Sequence, residues 1–237
     1  MHVILPEHVE GPHPVLWLLH GLSDDHTAWM RRSSIERYAW AHNLAVVMPA
    51  VNRSYYWNMI RGLQWGTFVR EELPALARRM FPLSAKREDN FIAGLSMGGY
   101  GAFLAAALHP DRYAAAASLS GVLDPESRVE KARKDSPETM AEWEHIFGNL
   151  SDVSTHPANI QYRFKQQVEA GTKLPKLFAC CGTSDFLYED NLRFVKFARD
   201  IGLPLTWEEG PGDHTWDYWD HWIERVIDWL PIRALCV

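Results

Sequence analysis

Residues 91–103 read FIAGLSMGGYGAF. An apolar run ends at Leu95, a serine follows, and a glycine- and alanine-rich segment continues to Pro110. The run NFIAGL (90–95) has strand character, and MGGYGAFLAAALH (97–109) has the composition of a buried helix that the proline stops. A strand turning that sharply into a helix puts the residue at the turn, Ser96, into a strained backbone conformation. Side chains at positions 94 and 98 would collide in such a turn, and glycine occupies both. The turn holds the serine hydroxyl clear of the sheet. It also puts the amide of Met97 at a helix N-terminus, where negative charge is favoured. A G-x-S-x-G pattern arises by chance roughly 0.08 times in a chain of this length; its place between a strand and a helix gives it meaning.

Outward from this turn, short apolar runs alternate with longer helical segments. PVLWLLH (14–20), LAVVMP (44–49), YAAAASLS (113–120), PKLFACCG (175–182) and LPLTWEE (203–209) join 90–95 as predicted strands. Several are apolar at every position, as strands covered on both faces are. Helices are predicted at about 27–42, 66–80, 97–109, 137–147, 159–170, 188–201 and 216–230. The alternation implies right-handed crossovers and a mostly parallel sheet with helices on both faces, an α/β architecture in one domain over 1–237. The charge-rich stretch 121–172 breaks the rhythm and reads as a helical, cap-like insertion. HVILPE near the start reads as the tail of an earlier strand.

Bulk properties remove several function classes. A net charge of −6 over 237 residues argues against a nucleic-acid partner, which needs a clustered basic face. No run reaches the ~18 apolar residues of a membrane span, and MHVILPEHVEGPHP lacks the charged start and long apolar region of a secretory signal. Cys180, Cys181 and Cys236 include no metal-type C-x-x-C pair, so free thiols in a cytoplasmic setting are expected.

A serine hydroxyl needs a base, and the base needs a third group to fix its tautomer. On a sheet of this type the partners follow in the order serine, acid, histidine. GTSDFLYEDN after the strand at 175–182 supplies Asp185, and GPGDHTWDYW after the strand at 203–209 supplies His214. Both loops lie at strand carboxyl ends, the rim where open α/β sheets bind ligands. Asp190 and Asp213 are the rival acids; the first falls in a predicted helix, and the second is adjacent to the histidine. A metal site from Asp213, His214, Asp217 and His221 has no recognised ligand spacing behind it. After the strand ending at His20-Gly21, the backbone N–H of Leu22 faces that of Met97 as a second oxyanion donor. Trp219, Trp222, Ile223, Val226 and Leu230 fall at helical spacing and read as a core-facing stripe. In NRSYYWNM (52–59), Tyr56 and Trp57 are candidates for a substrate-pocket wall.

With these residues in place, the chain resembles the α/β-hydrolase superfamily, and within it the esterase D-related group of tributyrin, acetyl and feruloyl esterases and S-formylglutathione hydrolases. The resemblance rests on VLWLLHGLSDDHTAW, MPAVNRSYYWNM, EELPALARRMFP, FIAGLSMGGYGAF, LSG, GTSDFLYEDN and GDHTWDYW, in order from about 15 to 220. It implies a serine carboxylic ester hydrolase for short-chain acyl esters, with Ser96 as nucleophile, Asp185 and His214 as its partners, and Leu22 and Met97 as oxyanion donors. No cofactor or metal is implied, and the partner is a small-molecule ester. GLSMGGYG with RSYYWNM is closer to the tributyrin or acetyl esterase branch. The same machinery serves an S-formylglutathione hydrolase-type thioesterase or a carbohydrate acetyl or feruloyl esterase, and a non-catalytic member of the fold is the remote alternative. The opening is shorter than the β-hairpin that begins related chains, which leaves edge strands and oligomeric state open.

Overall fold

The computed structural model describes residues 1–7 and 10–233; Cys236 falls outside them. Seven strands form one sheet: β1 His2–Ile4, β2 Val15–Leu19, β3 Ala45–Met48, β4 Asn90–Leu95, β5 Ala115–Leu119, β6 Lys176–Gly182 and β7 Leu205–Gly210. Their order is β1-β3-β2-β4-β5-β6-β7. β1 runs antiparallel to β3 and every other pair is parallel, with Leu19 opposite Gly94 and Leu95 opposite Leu119 in register. This is an α/β-hydrolase architecture. All six apolar runs become strands, and HVILPE supplies the short antiparallel edge.

Alternate residues of each strand feed two separate cores, as the two-residue period of a strand requires. Val15, Trp17 and Leu19 face one side with Ile92 and Leu177; Leu16 and Leu18 face the other with Phe91 and Phe178. The first core is closed by α4 (Leu73–Met80), α5 (Met97–Leu108), α8 (Ile160–Glu169) and α9 (Tyr188–Asp200). The second is closed by α1 (Ala28–Arg32), α2 (Ile35–Ala41) and α10 (Trp216–Trp229). On α10 the stripe predicted from spacing is inward: Trp219, Ile223, Val226 and Leu230 are buried, while Trp222 is half-buried.

Three helical predictions change in detail. The helix expected over 27–42 breaks at Ser33-Ser34 into α1 and α2. The one expected over 66–80 runs from α3 (Trp65–Thr67) through a π-helical turn (Phe68–Glu72) into α4. Pro74 explains part of this: it has no N–H to give the Arg70 carbonyl, which instead accepts from Arg112 Nη1 at 2.5 Å. The insertion at 121–172 contains a helix the pattern did not mark, α6 (Pro125–Asp135), before α7 (Pro137–Phe147). Only Val129 and Ala132 of α6 are buried, too little for an apolar stripe to be visible. Asp124 and Ser136 cap the two helices by accepting from Ser127 N and Thr139 N. The hairpin is tied down by the 50s loop, where Ile60 N and Arg61 N donate to Ile146 O and His145 O at 3.0 and 2.9 Å. Among the described residues no helix is long and apolar enough to cross a membrane.

Candidate active site

Ser96 sits between β4 and α5 with φ 53° and ψ −116°, a conformation costly for a residue with a side chain. The neighbours hold it there. A Cβ at Gly94 would lie 2.5 Å from the Gly98 carbonyl, and one at Gly98 would lie 2.6 Å and 2.7 Å from Leu19 O and His20 O. Only hydrogens allow α5 to begin so close to the ends of β2 and β4. Ser96 N donates to Leu119 O at 2.9 Å, fixing the turn to β5, and the side chain remains partly exposed.

The loops after β6 and β7 bring the two partners to this point. Gly182 and Gly212 make the approach possible, since a Cβ at Gly182 would lie 2.4 Å from Gly212 O. His214 Nε2 is 3.0 Å from Ser96 Oγ, and His214 Nδ1 is 2.8 Å from Asp185 Oδ2. Asp185 is buried, and its other oxygen accepts from Leu187 N at 2.8 Å. Burial works against the Asp185 charge, but the bond to His214, the imidazole's field and the Leu187 amide outweigh it and hold the carboxyl below its ordinary value. A charged Asp185 accepts from Nδ1–H, which leaves the Nε2 lone pair facing the serine hydroxyl. Phe186 and Trp219 flank the imidazole, with ring centroids at 4.6 and 4.8 Å.

The rival acids are engaged elsewhere. Asp213 Oδ1 accepts from the backbone N of His214 at 2.7 Å. Asp190 lies in α9, bonded to Arg193 and 3.5 Å from Arg128. Asp213, His214, Asp217 and His221 do not gather, and no group of three or more such side chains is placed to hold a metal ion among the described residues.

Of the two amides expected to face a developing oxyanion, that of Met97 directly follows the serine, and the loop that carries Leu22 approaches it through Gly21. Met97 is the first residue of α5, so its N–H has no helical acceptor. Gly21 presses on the other side: a Cβ there would lie 3.8 Å from Ser96 Cβ. His20 orients the next peptide. Its Nε2 accepts from Val51 N at 3.1 Å, so its Nδ1 carries the proton given to Gly21 O at 2.7 Å. Because a trans peptide points its N–H opposite its C=O, that bond sets the direction of the Leu22 N–H.

Tyr56 belongs to this support and not to a pocket wall. It is fully buried at φ 55°, and its hydroxyl donates to His20 O at 2.9 Å. Trp57 is half-buried beside His156. The adjacent residue, Tyr55, lines the pocket instead, with Tyr100, Val122, Trp143, Phe147 and Arg128. This mostly apolar pocket holds about 400 Å³ of empty space, part of it open to solvent. Two of its lining residues are tied to the serine turn through the main chain, Tyr100 N and Val122 N donating to Ser96 O at 3.2 and 3.4 Å. Sequence reasoning missed Tyr55, Phe186 and Arg128. The doublet Tyr55-Tyr56, both at positive φ, turns the chain so that one ring enters the pocket and the other the core. Nothing in the order of two tyrosines tells which does which.

Comparison with known proteins points one way. A family model described as "Putative esterase" matches residues 1–230. An acetyl esterase of Caldicellulosiruptor saccharolyticus is 28% identical over 218 residues, covering 91% of this chain and 82% of the relative. The substrate-bound structure of fluorophosphonate-binding serine hydrolase F from Staphylococcus aureus superposes with a TM-score of 0.88 at 42% identity, covering 97% of this chain and 91% of the other. An S-formylglutathione hydrolase from the same organism gives 0.85 at 41% identity with the same coverage.

Proposed function

This chain belongs to the Esterase family, an esterase D-like branch of the α/β-hydrolases, and is a carboxylesterase-type serine hydrolase; within that family we propose that it hydrolyses short-chain acyl esters, of the acetyl or butyryl type, through Ser96, His214 and Asp185. The observation that carries the reading is the unbroken hydrogen-bond chain from hydroxyl to imidazole to buried carboxylate, at 3.0 and 2.8 Å.

Ser96 Oγ attacks the ester carbonyl as His214 Nε2 takes its proton. The carbonyl oxygen becomes an oxyanion and accepts from the Leu22 and Met97 amides, a contribution typically worth about 10²–10³ in rate per donor. His214 then protonates the leaving alcohol, and Asp185 stabilises the imidazolium without taking its proton. Water, deprotonated by the same imidazole, cleaves the acyl-enzyme and releases the acid. The acyl group enters the pocket of Tyr55, Val122 and Phe147, and the 121–172 insertion acts as its cap. A cytoplasmic location agrees with the buried free thiols of Cys180 and Cys181.

Ser96→Ala should lower kcat for p-nitrophenyl acetate by at least ~10³-fold with an unchanged circular dichroism spectrum. Retention of near wild-type rate refutes the nucleophile assignment. A panel of p-nitrophenyl esters of graded acyl length should peak at about two to four carbons, the acetyl to butyryl range.

A second reading has its own support in the 41% identity to an S-formylglutathione hydrolase. Parallel kcat/KM measurements on S-formylglutathione and p-nitrophenyl acetate separate a thioesterase from an ester hydrolase.

A further inference from the structure

Arg78, Arg112 and Tyr113 line a cavity at the opposite end of the sheet from Ser96, with a third arginine, Arg70, at its edge. β4 begins at Asn90 and leads up to Ser96, so Asn90 marks the far rim. The cavity there is lined by Arg70, Arg78, Arg112 and Tyr113 beside Trp17 and Asn90, and holds about 760 Å³ of empty space, part of it open to solvent. Exposed Glu71 and Asp111 also edge it, yet none of the three guanidiniums has a carboxylate within 4.0 Å among the described residues.

Neutral acceptors position these arginines without neutralising them. Arg70 Nη1 donates to Tyr56 O at 2.9 Å, Arg112 Nη1 to Arg70 O at 2.5 Å, and Arg78 Nη2 to Asn90 Oδ1 at 2.8 Å. Arg70 is only 8% exposed, and an unpaired guanidinium at that depth is costly. Tyr113 stands among the three, and all three charges act on its hydroxyl. Its side chain is 3% exposed, and the hydroxyl has no hydrogen-bond partner among the described residues. Burial pushes that phenol up to about 12 against the pull of the arginines, so it is a proton donor at neutral pH.

We infer that this cavity binds a phosphate group, held by the guanidinium forks of Arg78 and Arg112 and the hydroxyl of Tyr113, with the buried charge of Arg70 adding to the positive field behind the phenol. A carboxylate offers two oxygens and one charge. A phosphate offers three or four oxygens and nearly two charges, which suits two forks and a phenol at once. The space exceeds a bare anion, which favours a phosphate carried on a small molecule. The inference does not depend on the esterase chemistry, since the two sites lie at opposite ends of the strands.

Calorimetric titration of the full chain with inorganic phosphate, and separately with glycerol phosphate, tests it up to ~10 mM ligand. Saturable binding that weakens with added salt is expected. Tyr113→Phe and Arg112→Gln should each bind about tenfold more weakly, while both hydrolyse p-nitrophenyl acetate at the wild-type rate. Ser96→Ala should bind as the wild type does. Saturation by phosphate alone identifies a free anion as the ligand, and saturation by both identifies a phosphate group on a larger molecule; either supports the site. The inference is overturned if neither ligand saturates, or if both variants bind with wild-type affinity.

Discussion

Asp185 does two jobs that one substitution separates from the fold. Its ionised carboxylate holds the His214 Nδ1 proton, so Asp185→Asn should leave the ring free to adopt the tautomer that donates towards Ser96. A loss of about 10³–10⁴ in kcat on p-nitrophenyl acetate is expected, comparable with other triads. The same residue affects stability at low pH. Its folded pKa lies below the unfolded value, so its contribution is present above about pH 4 and is lost as pH falls through the lower folded value. Asp185→Asn should therefore flatten the acid limb of urea midpoint against pH; an unchanged limb contradicts the assignment. His20 acts at one remove, through the Gly21 carbonyl. His20→Ala should lower kcat about 10–10²-fold by loosening the Leu22 amide, without moving the ionisation seen in the kcat/KM pH profile. A shifted profile would mean that His20 titrates in the reaction.

The start of α5 is where a single methyl matters most. Gly98→Ala would push a Cβ into Leu19 O and His20 O, backbone atoms that cannot rotate away. The helix must then move off β2, carrying Ser96 with it. Loss of stability of about 1–3 kcal/mol in urea unfolding is expected, along with loss of esterase activity beyond what the unfolded fraction explains. The helix was legible because its sequence is apolar on every side and a serine between glycines precedes it. The π-turn at 68–72 and the break at Ser33-Ser34 were not, because a 3.6-residue pattern shows which residues face the core and not where one carbonyl changes partner. α6 escaped for the opposite reason: its charged sequence is anchored by two small contacts and by end caps.

Across the chain, two buried histidines, His13 and His20, and two half-buried ones, His109 and His156, shape the response to mild acid. His13, His20, His109 and His156 all have pKa values lowered by burial. Below the unfolded value near 6.5 the unfolded chain takes up protons that these sites resist, so stability falls as pH drops from there towards the lower folded values. Urea midpoints should decline between about pH 7.5 and 5.5. Asp190 adds no loss in that direction. Burial raises its folded pKa despite Arg128 and Arg193, so its penalty grows as pH rises from the unfolded carboxylate value. A midpoint that is flat or rises towards pH 5.5 would contradict this balance.

Local pattern alone determined the six main strands and the helix after Ser96, and it singled out Ser96, His214 and, ahead of Asp190 and Asp213, Asp185 as candidates, because strand ends and glycine-bounded turns are short-range properties. Tertiary structure alone decided that the Asp185 and His214 loops meet at 2.8 Å, that Tyr55 and not Tyr56 faces the pocket, and that three arginines surround Tyr113. Each of these depends on residues far apart in the chain being brought together by sheet order and loop docking, and no spacing along the sequence carries that distance.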